Sequence, residues 1–200
     1  MNVRLQYTTL FTAGIYYTDQ LIMNNYRLTV YMVTNVQEAE LTDIAFERLK
    51  YFINEEIDSS VFINSENQAQ CQLYVDAGIK VTTLPNAPVD QIVGVMLFHK
   101  LNAIMEDRIS VLETELSSDL GENVIYIHSE NEITQNMEIP AWWVSPDLAH
   151  SKLEIDNKDT VFAVPYTGTT WKELDLAWPN EEFIETGNIV FADFGKDETK

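Results

Sequence analysis

The chain has 200 residues, 46% hydrophobic and 11% aromatic, and its 32 acids against 12 bases give a formal net charge of -20. That composition belongs to a folded domain, and its charge excludes a reader of nucleic-acid backbones, which needs Lys and Arg to displace counterions. One cysteine excludes an intrachain disulfide; with no signal-peptide pattern and no run near the ~20 apolar residues of a membrane span, a soluble, cytoplasmic protein is expected.

Residues 1–25 read as an N-terminal extension, in which VRLQYTTLF has the alternation of an edge strand. Tyr26 to Val33 is β-rich and uninterrupted, with Tyr26, Leu28, Val30 and Met32 on one face. Asn35 and Glu38 have capping-box spacing, so a helix is predicted over about 37–56. Its apolar face is Leu41, Ile44, Ala45, Leu49, Phe52 and Ile53; Glu38, Asp43, Glu47, Lys50 and Glu55 form its wet face. A short strand follows at Ser60 to Asn64, then a polar loop. Gln72 to Val75 reads as a further strand or a helical turn, and IKVTTL after Gly78 as a strand.

Val89 to Met105 is the most apolar window. Asn86 as N-cap, Pro88 in the first turn and Asp90 beside it predict a helix start there. Val89, Ile92, Val93, Met96, Leu97, Leu101 and Ile104 recur at helical spacing, with Val95 and Phe98 widening the face. Arg108 to Leu116 and Asn123 to Ser129, separated by turn residues around Gly121, predict a hairpin. Within the first arm, Ile109, Val111, Glu113 and Glu115 are expected opposite Ser110, Leu112 and Leu116.

This order predicts an α+β fold: two helices on one face of a mostly antiparallel sheet, in ferredoxin-like βαββαβ order. The core domain is placed at 26–129. Residues 130–194, with four tryptophans and four of the six prolines, are expected as an irregular, β-containing, acidic extension packed on the core. Residues 195–200 are a frayed tail.

Two sets of residues carry possible chemistry. In TGTTWKELDLAW, Trp171, Leu174 and Trp178 share a face if the stretch is helical, and Leu174, Leu176 and Trp178 if it is a strand, in either form beside Glu173 and Asp175. Trp142 and Trp143 are adjacent, so in a strand one would face outward. Aromatics among carboxylates suit a basic protein partner if exposed; the plainer reading packs them on the core. The second set is His128, Glu130 and Glu132, spaced by two, with His150 beyond Asp147: one nitrogen and two carboxylates on a strand face could begin a divalent-metal site of a hydrolase. The plainer reading is a solvated strand end. His99 is expected as a packed ring and Cys71 as a buried thiol. No GxSxG, HExxH, GxGxxG or paired CxxC occurs, which leans against an enzyme, and no cofactor is expected.

The stretches PVDQIVGVMLFHKLNAIMEDRI, ELSSDLGENVIYIHSENE, the WW pair and TTWKELDLAW resemble uncharacterised proteins of large tailed marine phages of the myovirus type. The resemblance spans residues 26–178 and implies a viral protein acting in the host bacterial cytoplasm; it assigns no residue a role. The reading taken forward is a non-enzymatic phage accessory protein that binds a basic protein, such as a nucleic-acid-binding host protein, through acidic, tryptophan-bearing surface. A metal-dependent hydrolase and a minor structural virion component are the alternatives.

Overall fold

The structure, a computed structural model, describes residues 4–129, 139–148 and 169–179. They form a mixed α+β fold with one six-stranded sheet and three helices. The elements are β1 (Arg4–Tyr17), β2 (Gln20–Thr34), α1 (Ala39–Tyr51), β3 (Val61–Asn64), α2 (Gln68–Asp76), β4 (Val81–Leu84), α3 (Asp90–Met105), β5 (Ile109–Ser118) and β6 (Tyr126–Ser129). The strands lie in the order β4-β3-β1-β2-β5-β6. This is not the ferredoxin-like order: β3 and β4 pair parallel, joined through α2, and β3 lies parallel to β1.

The expected N-terminal extension instead supplies β1 and the first part of β2. β1 is an interior strand, paired antiparallel to β2 on one side and parallel to β3 on the other. Thr18 and Asp19, both at positive φ, make the two-residue turn whose twist suits a hairpin. Phe11, Ala13 and Ile15 point into the core, while Thr8, Leu10 and Thr12 alternate to the other face. An interior strand with one solvated face has the same alternation as an edge strand, which is why the sequence misplaces it.

The core lies between the sheet and the helices α1 and α3. Tyr26, Leu28, Val30 and Met32 meet Ala45 and Leu49 of α1 and Val93, Met96, Leu97, Leu101 and Ile104 of α3. α2 belongs to a separate cluster: Cys71 packs with Ile63, Val81, Tyr16 and Tyr74. α1 runs into a π-helical turn, Phe52–Ile57, closed by the Asp58 amide donating to Ile53 O at 2.8 Å. The wider turn lets Phe52, Ile53 and Ile57 all be buried.

Three local expectations are corrected. Asn35 makes no capping box; its amide donates to Asp107 O and Ser110 Oγ and ties the end of β2 to β5. Asn86 is not a cap, because α3 begins at Asp90 behind Val89. The β5–β6 hairpin forms, but a bulge at Leu112 resets the alternation. Leu116 then joins the core, and Glu113 and Glu115 face away from it.

Candidate partner-binding groove

Arg48 lies three residues after Ala45 and four after Ile44, so α1 turns it toward the core. It is 1% exposed. Its Nε donates to Leu176 O at 2.7 Å, and its Nη1 donates to Ile104 O at 3.2 Å and to Glu106 Oε1 at 2.7 Å. The guanidinium carbon lies 3.9 Å from the Trp178 ring centroid and 4.8 Å from that of Trp171. Glu106 caps α3 in the left-handed region, at φ 45°, and also accepts from Trp178 Nε1 at 2.8 Å. Arg108 lies over Trp178 as well, at 4.2 Å. A buried arginine with a carboxylate, two carbonyls and two aromatic faces has its desolvation offset on every side.

This cage holds the segment 169–179 against α1. The segment starts as a tight turn: Thr170 N donates to Glu173 Oε2 at 2.7 Å, and Glu173 N donates back to Thr170 Oγ1 at 3.3 Å. Trp171 and Trp178 go inward, whereas Glu173 and Asp175 stay exposed. Leu174 and Leu176 line a hollow of about 490 Å³ with Glu47, Lys50, Tyr51, Asn54 and Glu55. Lys50 is paired with Glu47. Burial, with the charges of Glu56 and Glu55, raises the Tyr51 hydroxyl. The result is an apolar floor with carboxylates around it.

The second tryptophan pair is anchored by Lys100 of α3. Its ammonium donates to Trp142 O at 3.0 Å, Ser145 O at 2.9 Å and Asp147 O at 2.5 Å. Burial lowers it to about 7, against the weaker opposing pull of Asp147 and Glu56. Trp143 is buried and stacks on His99, 6.5 Å between centroids. Trp142 is half-buried and packs edge-on against Trp143.

Trp143, Trp171 and Trp178 are therefore inside, as the plainer reading of the aromatic cluster has them, and Trp142 is half-buried. The binding features left outside are the acids Glu173 and Asp175 and the half-buried Leu174 and Leu176. Arg48 and Lys100 were legible only as basic residues on apolar helix faces.

Of the metal reading's four residues, only His128 lies among the described residues. His128 lies on β6 with its ring against α3 at Gly94, where a Cβ would overlap it. Glu130, Glu132 and His150 fall outside the described residues, among which no group of three His, Cys, Asp or Glu is arranged to hold a metal. Burial lowers His99 and raises the Cys71 thiol to about 11. No helix among the described residues is long and apolar enough to cross a membrane.

No family model matches the chain, and no curated protein matches it. Similar solved structures include an uncharacterised protein of Wolinella succinogenes: TM-score 0.46, 11% identity, 65% of this chain and 99% of that one covered. The 6-pyruvoyl tetrahydropterin synthase of Plasmodium vivax has TM-score 0.40 and 11% identity, covering 64% and 97%. That of Plasmodium falciparum has TM-score 0.38 and 12% identity, covering 64% and 96%. At these scores none lends the chain an activity.

Proposed function

We propose that the chain is an accessory binding protein that takes a basic, amphipathic segment of a partner protein into the groove between α1 and residues 169–179. The carrying observation is how charge is partitioned. Arg48 and Lys100 are withdrawn into the interior, and Lys80 is occupied by Glu55 O and Asp58 O. Glu40, Asp43 and Glu47 line the exposed side of α1, and Glu55, Glu173 and Asp175 continue the acidic surface around an apolar floor. Such a surface steers and orients a cationic partner. The phage origin, the host cytoplasm and the accessory role belong to the same proposal, and proteomics of virus particles separates it from a virion component.

The test is fluorescence anisotropy with a labelled lysine- and leucine-rich peptide, across a salt titration. Binding should weaken as salt rises. It should fall roughly tenfold or more in Glu55→Lys/Glu173→Lys, because like charges placed together cost several kcal/mol. Glu66→Lys/Asp76→Lys, on α2 and the loop before it, should bind as the parent does. Equal losses in the two double variants, or no binding, would remove the groove reading.

A further inference from the structure

A second hollow, of about 400 Å³, lies on the face of the sheet turned away from α1 and α3, across β1, β2 and β5, and shares no lining residue with the groove. Its floor is already ordered from within. Thr12 Oγ1 donates to Asn25 Oδ1 at 2.9 Å, and Asn25 Nδ2 donates to Asp119 Oδ2 at 2.7 Å. The Thr12 amide donates to Asp58 Oδ1 at 2.8 Å. The corner after α1 and the turn after β5 are thereby fixed to the strands, since Ser59 N also donates to Thr12 O and Asp119 N to Asn25 O. Each aspartate is held through one oxygen, Asp58 Oδ1 and Asp119 Oδ2. Among the described residues, the other oxygen of Asp58 meets only the Ser59 hydroxyl, at 3.4 Å.

Arg27 faces the same hollow. It is exposed and, among the described residues, its side chain makes no hydrogen bond or ion pair. Arg48, Lys50, Lys80, Lys100 and Arg108 all make one; the side chain of Arg4, exposed at the start of β1, makes none among the described residues either but lies away from the hollow. In a chain of net charge -20, a guanidinium with its donors open beside two part-used carboxylates is a distinct arrangement. A simple anion would meet Asp58 and Asp119, and a simple cation would meet Arg27. A molecule with both charges meets each with its opposite. Arg27 is two residues along β2 from Asn25, about 7 Å at the rise of an extended strand, which the flexible arginine can shorten. Leu10, opposite Arg27 on β1 and 68% exposed, offers an apolar contact at that end.

We propose that this hollow binds a small zwitterion of the α-amino-acid class. Its carboxylate would lie on Arg27, its ammonium on the Asp119 carboxylate that Asn25 holds, and its side chain against Leu10. The experiment is amide chemical-shift mapping of the isotope-labelled full chain, titrated with glycine, L-leucine, acetate or methylamine at millimolar concentration. The expected result is saturable movement of the Arg27, Ser117 and Asn123 amides with the amino acids, L-leucine binding more tightly than glycine. Arg27→Gln and Asp119→Asn should each weaken this at least about tenfold, the value of one charged hydrogen bond, with an unchanged melting temperature for Arg27→Gln. Acetate binding as well as L-leucine would make it an anion site, and methylamine binding as well would make it a cation site; either overturns the proposal. So does an absence of movement with every amino acid, or movement that survives Arg27→Gln.

Discussion

Two buried cations, one on each core helix, hold the two described pieces of the C-terminal third, and they do it differently. Arg48 of α1 meets a carboxylate, two carbonyls and two tryptophan faces. Lys100 of α3 meets three carbonyls. The guanidinium is planar, weakly hydrated and always charged, so it tolerates burial between rings. The ammonium is compact and strongly hydrated, and its charge is what burial opposes. The first anchor should therefore be strong and indifferent to pH, and the second weaker and pH-dependent.

The most damaging way to break the comparison is Arg48→Ala. It removes the donor to Leu176 O and Ile104 O, strips Glu106 of its buried partner and leaves two tryptophan faces uncovered. Removing one member of such a buried pair costs about 3–5 kcal/mol. Urea unfolding followed by circular dichroism should show that loss, and tryptophan emission should shift toward that of exposed rings before the global transition. Arg48→Lys should recover little, because an ammonium cannot reproduce the fork and the stacking together. Full stability in Arg48→Lys would mean that charge alone holds the segment.

Lys100→Met should cost less, about 1–3 kcal/mol, the penalty for leaving buried acceptors unpaired. The carbonyls of Trp142, Ser145 and Asp147 lose their donor, but the desolvated charge is gone too, and methionine fills much of the same space. The same urea experiment checks it. A cost equal to that of Arg48→Ala would erase the distinction between the anchors.

The difference between the anchors also measures how much the sequence discloses. α3, α1 and the strand at Tyr26 were legible because their apolar spacing matches one period over many residues, and the β5–β6 hairpin because turn residues around Gly121 separate its arms, although the bulge at Leu112 hid its alternation. α2 was ambiguous because QAQCQLYVD buries only Cys71. β1 was misplaced because Thr8 and Thr12 face solvent from the middle of a sheet. The aromatic cluster was found with both directions open, and its sequence could not choose between them. Which way Trp171 and Trp178 turn depends on Arg48, more than a hundred residues earlier, and no local pattern couples the two. The hollow at Arg27 is less legible still, because Thr12, Asp58 and Asp119 converge only through the sheet register.

The smallest expected effect is also the sharpest separation of the anchors. With Lys100 lowered to about 7, the folded chain has shed a proton above that pH that the unfolded chain keeps up to the usual lysine range. The unfolded state then binds more protons, so stability rises with pH, by at most about 1.4 kcal/mol per pH unit. The rise should fall short of that, because the neutral amine has only two N–H groups for three carbonyls. Cys71, raised to about 11 from a free thiol's value near 9, already loses its proton in the unfolded chain toward the top of the window from about pH 7 to 9 and pulls stability down there, but the parent and Lys100→Met share this contribution, so it cancels in their difference. Unfolding midpoints of the parent chain should therefore climb across that window relative to Lys100→Met, while those of Arg48→Ala run parallel to the parent. A flat difference between parent and Lys100→Met would mean that three carbonyls are enough to keep this ammonium charged through the whole window, making the two anchors alike in their response to pH.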